Sequence, residues 1–301
     1  MPAHPVHSER LAVAALFVSG LLWGFTWIPL KHFAAQGLSG LGMTLLGYGV
    51  VGVGALPLIW LQRRSWKPQS GWLISAALAG GAANVCFVTA LMRGEVVRVM
   101  LMFYLAPVWG VLGARVFLGE PITRLRLTGV IIAVVGAVLV LGGPKLLAAP
   151  ISLAEVLGLA AGLLYAAQNI VFRAADRVPV SSKALSVFAG CAVVSAVLFP
   201  VAGDALPPIS VALTLQLIAF SGIWMLLAMW TTMYGVTHLE AGRAAVLLVF
   251  ELAAAVASAT IIGSERLSGL EWFGAALITA AAFLEARGDS REERKTACPK
   301  S

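Results

Sequence analysis

Residues 104–139 read YLAPVWGVLGARVFLGEPITRLRLTGVIIAVVGAVL, and the chain writes this stretch a second time. A shift of 145 residues lays Glu120 on Glu265, Leu125 on Leu270, Gly129 on Gly274 and Leu139 on Leu284. Carried upstream, the same shift lays Glu95 on Glu240 and Arg98 on Arg243. An apolar segment closed by Phe117-Leu118-Gly119-Glu120 is echoed by one closed by Ile262-Gly263-Ser264-Glu265. Self-similarity at a fixed spacing marks a duplicated structural unit.

The setting of the repeat is a membrane. Of 301 residues, 60% are apolar and 12% charged, and the mean hydropathy is +0.92. Soluble domains carry about twice that share of charge. Met1 to Arg10 offers no cleavage site before Leu11 opens a full-length apolar run, so no signal peptide is expected. The net charge of +7 sits in short connections and the tail. It therefore reads as membrane topology, and no nucleic-acid partner is expected. Cys86 and Cys191 lie in apolar runs and Cys298 in the polar tail, without CxxC spacing, which suits inert thiols.

A helix needs about 20 apolar residues to cross the hydrocarbon core. Ten segments qualify: 11–33, 38–61, 70–92, 97–118, 124–142, 152–173, 183–202, 210–235, 241–263 and 269–287. With both termini on one face, that face collects 16 of the 21 Lys and Arg. They are Arg10; Arg63, Arg64 and Lys67; Arg115, Arg124 and Arg126; Arg173, Arg177 and Lys183; Arg243; and Arg287, Arg291, Arg294, Lys295 and Lys300. The positive-inside rule puts both termini in the cytoplasm. The fold expected is an all-α membrane protein of ten transmembrane helices. Residues 1–145 form the first five-helix repeat, 146–287 the second, and 288–301 a charged, disordered cytoplasmic tail.

Five helices is an odd number, so the second copy enters the membrane from the opposite side. The result is a 5+5 inverted-topology repeat, an arrangement that places small-molecule sites near the midplane between the halves. The first helices also echo each other, at a shift of 142. Gly20-Leu21-Leu22-Trp23 matches Gly162-Leu163-Leu164-Tyr165, Trp27 meets Asn169, and Lys31 meets Arg173.

With this layout, Leu118-Gly119-Glu120 and Gly263-Ser264-Glu265 make the chain resemble the EamA-type ten-helix carriers of the drug/metabolite transporter superfamily. That family often has a Glu-Pro pair earlier in the same helices. Here the pair is split, with Ala106-Pro107 in one half and Glu251-Leu252 in the other. The length, the nine tryptophans and the run Tyr104-Leu105-Ala106-Pro107-Val108-Trp109 look most like the aromatic amino acid exporters of bacterial inner membranes. The resemblance implies a multi-pass protein of that membrane. It implies export of amino acids, aromatic and other neutral ones, by alternating access through a central cavity, without a cofactor. The alternative is a proton-coupled exporter of drugs or other metabolites.

A cavity for a zwitterion wants apolar walls and a few placed polar groups. Trp23 and Trp27 are four residues apart on one helix, and Tyr165, Gln168 and Asn169 occupy the matching helix of the second half. With Asn84 and Tyr104 they form the expected substrate-binding set. Glu251 lies inside the ninth span, where a charge costs several kcal/mol (~3) unless paired or wet. It either binds an amino group or carries a coupling proton, or it is a structural glutamate. Pro107 removes a mid-helix hydrogen bond and is the expected kink. Glu95, Arg98, Glu120, Glu240, Arg243 and Glu265 sit at helix ends as local pairs and caps, or as a gate between the halves. The GxxxG spacings Gly20/Gly24 and Gly158/Gly162 suit close helix packing within a monomer.

No G-x-x-x-x-G-K-[ST] loop and no H-E-x-x-H helix occurs. The three aspartates, Asp176, Asp204 and Asp289, all lie in connections or the tail. ATP hydrolysis, metal chemistry and paired-aspartate proteolysis have no residues to run on, so no enzyme and no metal site are expected.

Overall fold

The computed structural model describes residues 6–117, 119, 122–140, 151–239, 247–281 and 284. Among these the chain is helical, with no strand. In chain order the helices are α1 (Arg10–Ala35), α2 (Gly40–Leu61), α3 (Arg63–Arg93) and α4 (Val96–Phe117), then α5 (Arg124–Val140). They continue with α6 (Leu153–Ala174), α7 (Val180–Val201), α8 (Val211–His238), α9 (Phe250–Ile261) and α10 (Gly269–Ala281). Seven are long and apolar enough to cross a membrane, and α5, α9 and α10 are shorter apolar helices. The expected spans 124–142, 241–263 and 269–287 each run into residues outside the described ones, as do the repeat boundary at 145 and the tail from 288.

Several helices are interrupted: α4 beside Pro107, where a kink is expected, and also α1, α2 and α8. α1 breaks at Phe25-Thr26, four residues upstream of the Pro29 ring, and α4 breaks at Tyr104-Leu105, just before Pro107. Each proline removes the N–H that would bond the carbonyl four residues back, those of Phe25 and Phe103. α2 and α8 each contain a π-helical segment, Thr44–Tyr48 and Phe220–Met225. The Arg63–Gln69 connection, read as a loop, is instead a helical turn and a 3₁₀ turn leading into Ser70–Arg93.

The packing has a recurring pattern. α6 lies against α3 and α4, while α1 lies against α8 and α9; α7 packs on α2 and α3, and α9 on α4. The GxxxG glycines lie at close helix contacts. A Cβ on Gly162 would fall 2.6 Å from the Phe103 carbonyl oxygen, and one on Gly158 3.0 Å from that of Val99. On the other side, a Cβ on Gly24 would fall 2.9 Å from the Glu251 carbonyl oxygen. Gly162 thus covers the carbonyl that Pro107 leaves without its helical donor.

Candidate functional site

A cavity of about 550 Å³ lies inside the bundle. Trp23 of α1, Tyr48 of α2 and Asn84 and Phe87 of α3 line its inner part, with Phe103, Tyr104, Tyr165 and Glu251. It then follows the later halves of α4 and α6 to Ala114 and Arg173, meeting Ala184 near the start of α7 and Met229, Thr232 and Met233 of α8. The cavity therefore runs from midspan toward one end, called here the mouth. Among the described residues, no lining residue comes from the opposite end, where α4, α6 and α10 begin.

The inner wall is aromatic. Phe103, at the break in α4, has its ring centroid 4.6 Å from Phe87, 5.4 Å from Tyr165 and 5.7 Å from Tyr104. Trp23 Nε1 donates to Thr232 Oγ1 at 3.0 Å, and Ser19 Oγ shares that hydroxyl. The Tyr104 hydroxyl reaches the Glu251 carboxyl and makes a long 3.4 Å contact with the Leu248 carbonyl. Tyr165 bonds Asn169 one turn on, and its 40% exposure is to the cavity it lines. Asn84 Nδ2 donates to the Gly80 carbonyl at 2.9 Å. Tyr165, Asn169 and Arg173 follow at intervals of four residues, one row of α6 descending to the mouth. A carboxylate among aromatic faces is a place for an ammonium group: ionic attraction in low dielectric adds to the pull of the ring faces on a cation.

The opposite end is built from charge. Arg98, two residues inside α4, meets one carboxylate with each side-chain nitrogen. Nε lies 3.0 Å from Glu95, Nη1 3.2 Å from Glu155 and Nη2 2.7 Å from Glu271. Glu155 and Glu271 are capping-box residues of α6 and α10. Each accepts the backbone N–H of its cap serine on Oε2, from Ser152 and Ser268 at 2.7 Å, and gives Oε1 to Arg98. Glu265 caps α4 itself, accepting from Val96 N at 2.6 Å and Val97 N at 3.0 Å. Lys31 Nζ at the end of α1 donates to the Gly94 carbonyl at 2.6 Å.

Of the residues expected to bind substrate, Trp23, Asn84, Tyr104, Tyr165, Gln168 and Asn169 all line the cavity, beside Glu251 and Pro107. Gln168 is only 6% exposed and lies against Gly80 of α3. Trp27 is placed elsewhere. Its Nε1 donates to Ser258 Oγ at 2.9 Å inside the α1–α9 contact. The four-residue spacing to Trp23 assumed an unbroken helix, and the break at Phe25-Thr26 turns Trp27 away. Glu95, Arg98 and Glu265 share the end opposite the mouth. Glu120, Glu240 and Arg243 lie outside the described residues. The sequence reading passed over Phe103, Thr232 and Arg173, and over Glu155 and Glu271, whose Ser-x-x-Glu spacing was the available signal. Among the described residues no group of three His, Cys, Asp or Glu is arranged to hold a metal ion.

A solved structure titled only "Crystal structure of protein" is similar at a TM-score of 0.59 and 19% identity, over 95% of this chain and 99% of its own. At that identity the likeness shows the fold alone. No curated protein matches the chain. Residues 10–142 match the EamA-like transporter family. With its apolar helices, the chain is a multi-pass membrane protein that is similar over residues 10–142 to the EamA-like transporter family.

Proposed function

We propose that the protein is a secondary transporter that exports amino acids, aromatic and other neutral ones, from the bacterial cytoplasm across the inner membrane. It acts as a monomer, by alternating access of the central cavity between two inverted five-helix repeats, with both termini cytoplasmic. The observation that carries this reading is the cavity. Its volume lies in the range of roughly 300–1,000 Å³ that small molecules occupy. Its walls are aromatic, and its polar groups include one carboxylate, three amides and three phenols, with Arg173 toward the mouth. Glu251 takes the ammonium group, Phe103, Tyr104, Tyr165 and Trp23 receive the side chain, and Asn84 and Asn169 orient the molecule.

The recurring packing supports the duplicated layout, since α1 on α8 and α9 mirrors α6 on α3 and α4 under a five-helix offset. The mouth carries the basic residues Arg173, Arg177 and Lys183, which makes it the cytoplasmic side. Glu251 inside the cavity favours one further reading, proton-coupled export of a cationic molecule, with the carboxylate alternating between proton and cargo.

Flux of labelled phenylalanine, lysine and a cationic dye in proteoliposomes, with and without a pH gradient, tests both. Saturable phenylalanine flux that ignores the gradient and persists in Glu251→Gln supports facilitative amino acid export. Gradient-driven dye flux lost in Glu251→Gln supports the coupled reading. Flux of none of the three above empty liposomes rejects both.

A further inference from the structure

We propose that Arg98 is the latch that keeps the cavity closed at the end opposite the mouth, and that releasing Glu155 and Glu271 is the step that lets the cavity change sides. The inference rests on the transporter reading above. It starts from how the guanidinium is shared. Its three nitrogens meet carboxylates from three places: Glu95 in the turn before α4, Glu155 at the start of α6 and Glu271 at the start of α10. Three helix N-termini that belong to opposite halves of the sequence are thereby tied to one side chain.

The cavity floor lies on the same helix. Arg98 is five residues before Phe103 and six before Tyr104, about one and a half turns, and the break that follows allows the first half of α4 to move apart from the second. Moving that half away from α6 and α10 uncovers a path from the cavity to the far face, and these ion pairs oppose it together with the Glu265 carboxylate on the α4 N-terminus and Lys31 on the Gly94 carbonyl. The Arg98 side chain is 36% exposed and those of Glu155 and Glu271 are 8% and 11% exposed, so water reaches the guanidinium first and the two carboxylates are wetted as the helix starts part.

The capping boxes make the latch separable from the helices it joins. Each glutamate gives one oxygen to its own helix and the other to Arg98. A glutamine keeps a capping box while losing the charge that Arg98 holds. Glu155→Gln and Glu271→Gln therefore weaken the latch and leave the helix ends capped.

The test is a reporter cysteine, Ala106→Cys, on the cavity wall of a chain whose own cysteines are replaced. A charged thiol reagent that cannot cross the membrane is applied to right-side-out and inside-out vesicles. With Arg98 present, labelling from the mouth face exceeds that from the far face by tenfold or more. Arg98→Gln brings the two rates within about threefold. The Glu155→Gln, Glu271→Gln double variant moves the ratio the same way, and Arg98→Lys falls between. One-sided labelling that is unchanged in Arg98→Gln and in the double variant overturns the latch and leaves the transporter reading standing. Labelling of the Arg98-bearing chain from neither face, or equally from both, removes the one-ended cavity and the latch with it. The double variant, with its caps intact, separates a released latch from a misfolded protein.

Discussion

The two ends of the bundle are fastened by different chemistry. At the mouth the ties are mostly neutral: Ser181 Oγ and Ser182 Oγ donate to Gln62 Oε1, and Arg177 N donates to Gln69 Oε1 at 3.0 Å. They join α2, α3 and α7 into one wall, and the same helices interlock through Gly52 against the Phe188 backbone and Gly190 against that of Ala77. At the far end the ties are ionic and meet at Arg98. Close glycine packing cannot loosen without losing many contacts together, whereas an ion pair at the end of the bundle regains water as it parts. The difference assigns the rigid part of the molecule to the α2–α3–α7 wall and the movable part to the start of α4.

The comparison breaks most completely where one residue serves both ends. Gly162→Leu drives a side chain into the Phe103 carbonyl at the crossing of α6 and α4, and loss of folded protein is expected, seen as loss of the monodisperse peak in detergent. Next come the cavity walls. Trp23→Ala and Tyr165→Ala are expected to lower phenylalanine flux about tenfold each, the equivalent of ~1.4 kcal/mol. Trp66→Ala should leave flux unchanged, because Trp66 Nε1 is bonded to the Ile59 carbonyl away from the cavity. Equal effects from all three would reject the assignment of the walls.

A smaller effect sharpens the far end. Ser264 has φ +56°, and its repeat partner Gly119 has φ +70°. Both sit directly before a glutamate, and the left-handed turn at Ser264 aims Glu265 back at the α4 N-terminus. A side chain there is strained by about 1 kcal/mol, so Ser264→Gly should raise the melting temperature by a degree or two without changing flux.

The smallest effect is at the mouth. The amide of Gln69 bonds Asp176 Oδ1 at 2.7 Å, and this bond, with Arg177 nearby, holds the carboxyl below its ordinary value. A depressed carboxylate stabilises the fold above its unfolded pKa of about 3.9, and the contribution disappears as the pH falls through the folded value. Melting of Asp176→Asn should therefore lie slightly below the parent at pH 6, with the gap closing as the pH falls through the lowered folded value.

The sequence made the helices readable because twenty apolar residues bounded by Arg, Gly and Pro leave little choice of span. The ends of α2, α4, α6 and α7 fall within about three residues of the expected positions. It was less informative about breaks. Pro29 and Pro107 were visible, but where a proline-weakened helix yields depends on what covers the freed carbonyl, and Gly162 comes from another helix. The break at Phe25-Thr26, upstream of Pro29, moved Trp27 from the expected cavity set into the α1–α9 contact. Glu155 and Glu271 were equally visible as capping residues. Their second oxygens point at an arginine 57 and 173 residues away, a convergence that no local pattern encodes.

The split use of those two carboxylates bears on wear. A carrier repeats its motion for the life of the cell, and a helix end that frays each time exposes backbone groups to misfolding and to proteases. Because Glu155 and Glu271 keep their bonds to Ser152 and Ser268 when Arg98 lets go, the starts of α6 and α10 stay capped, while α4 exchanges its Glu265 cap for water. Reversibility is then a property of the joint itself, and the two helix starts that receive α4 need no refolding between one cycle and the next.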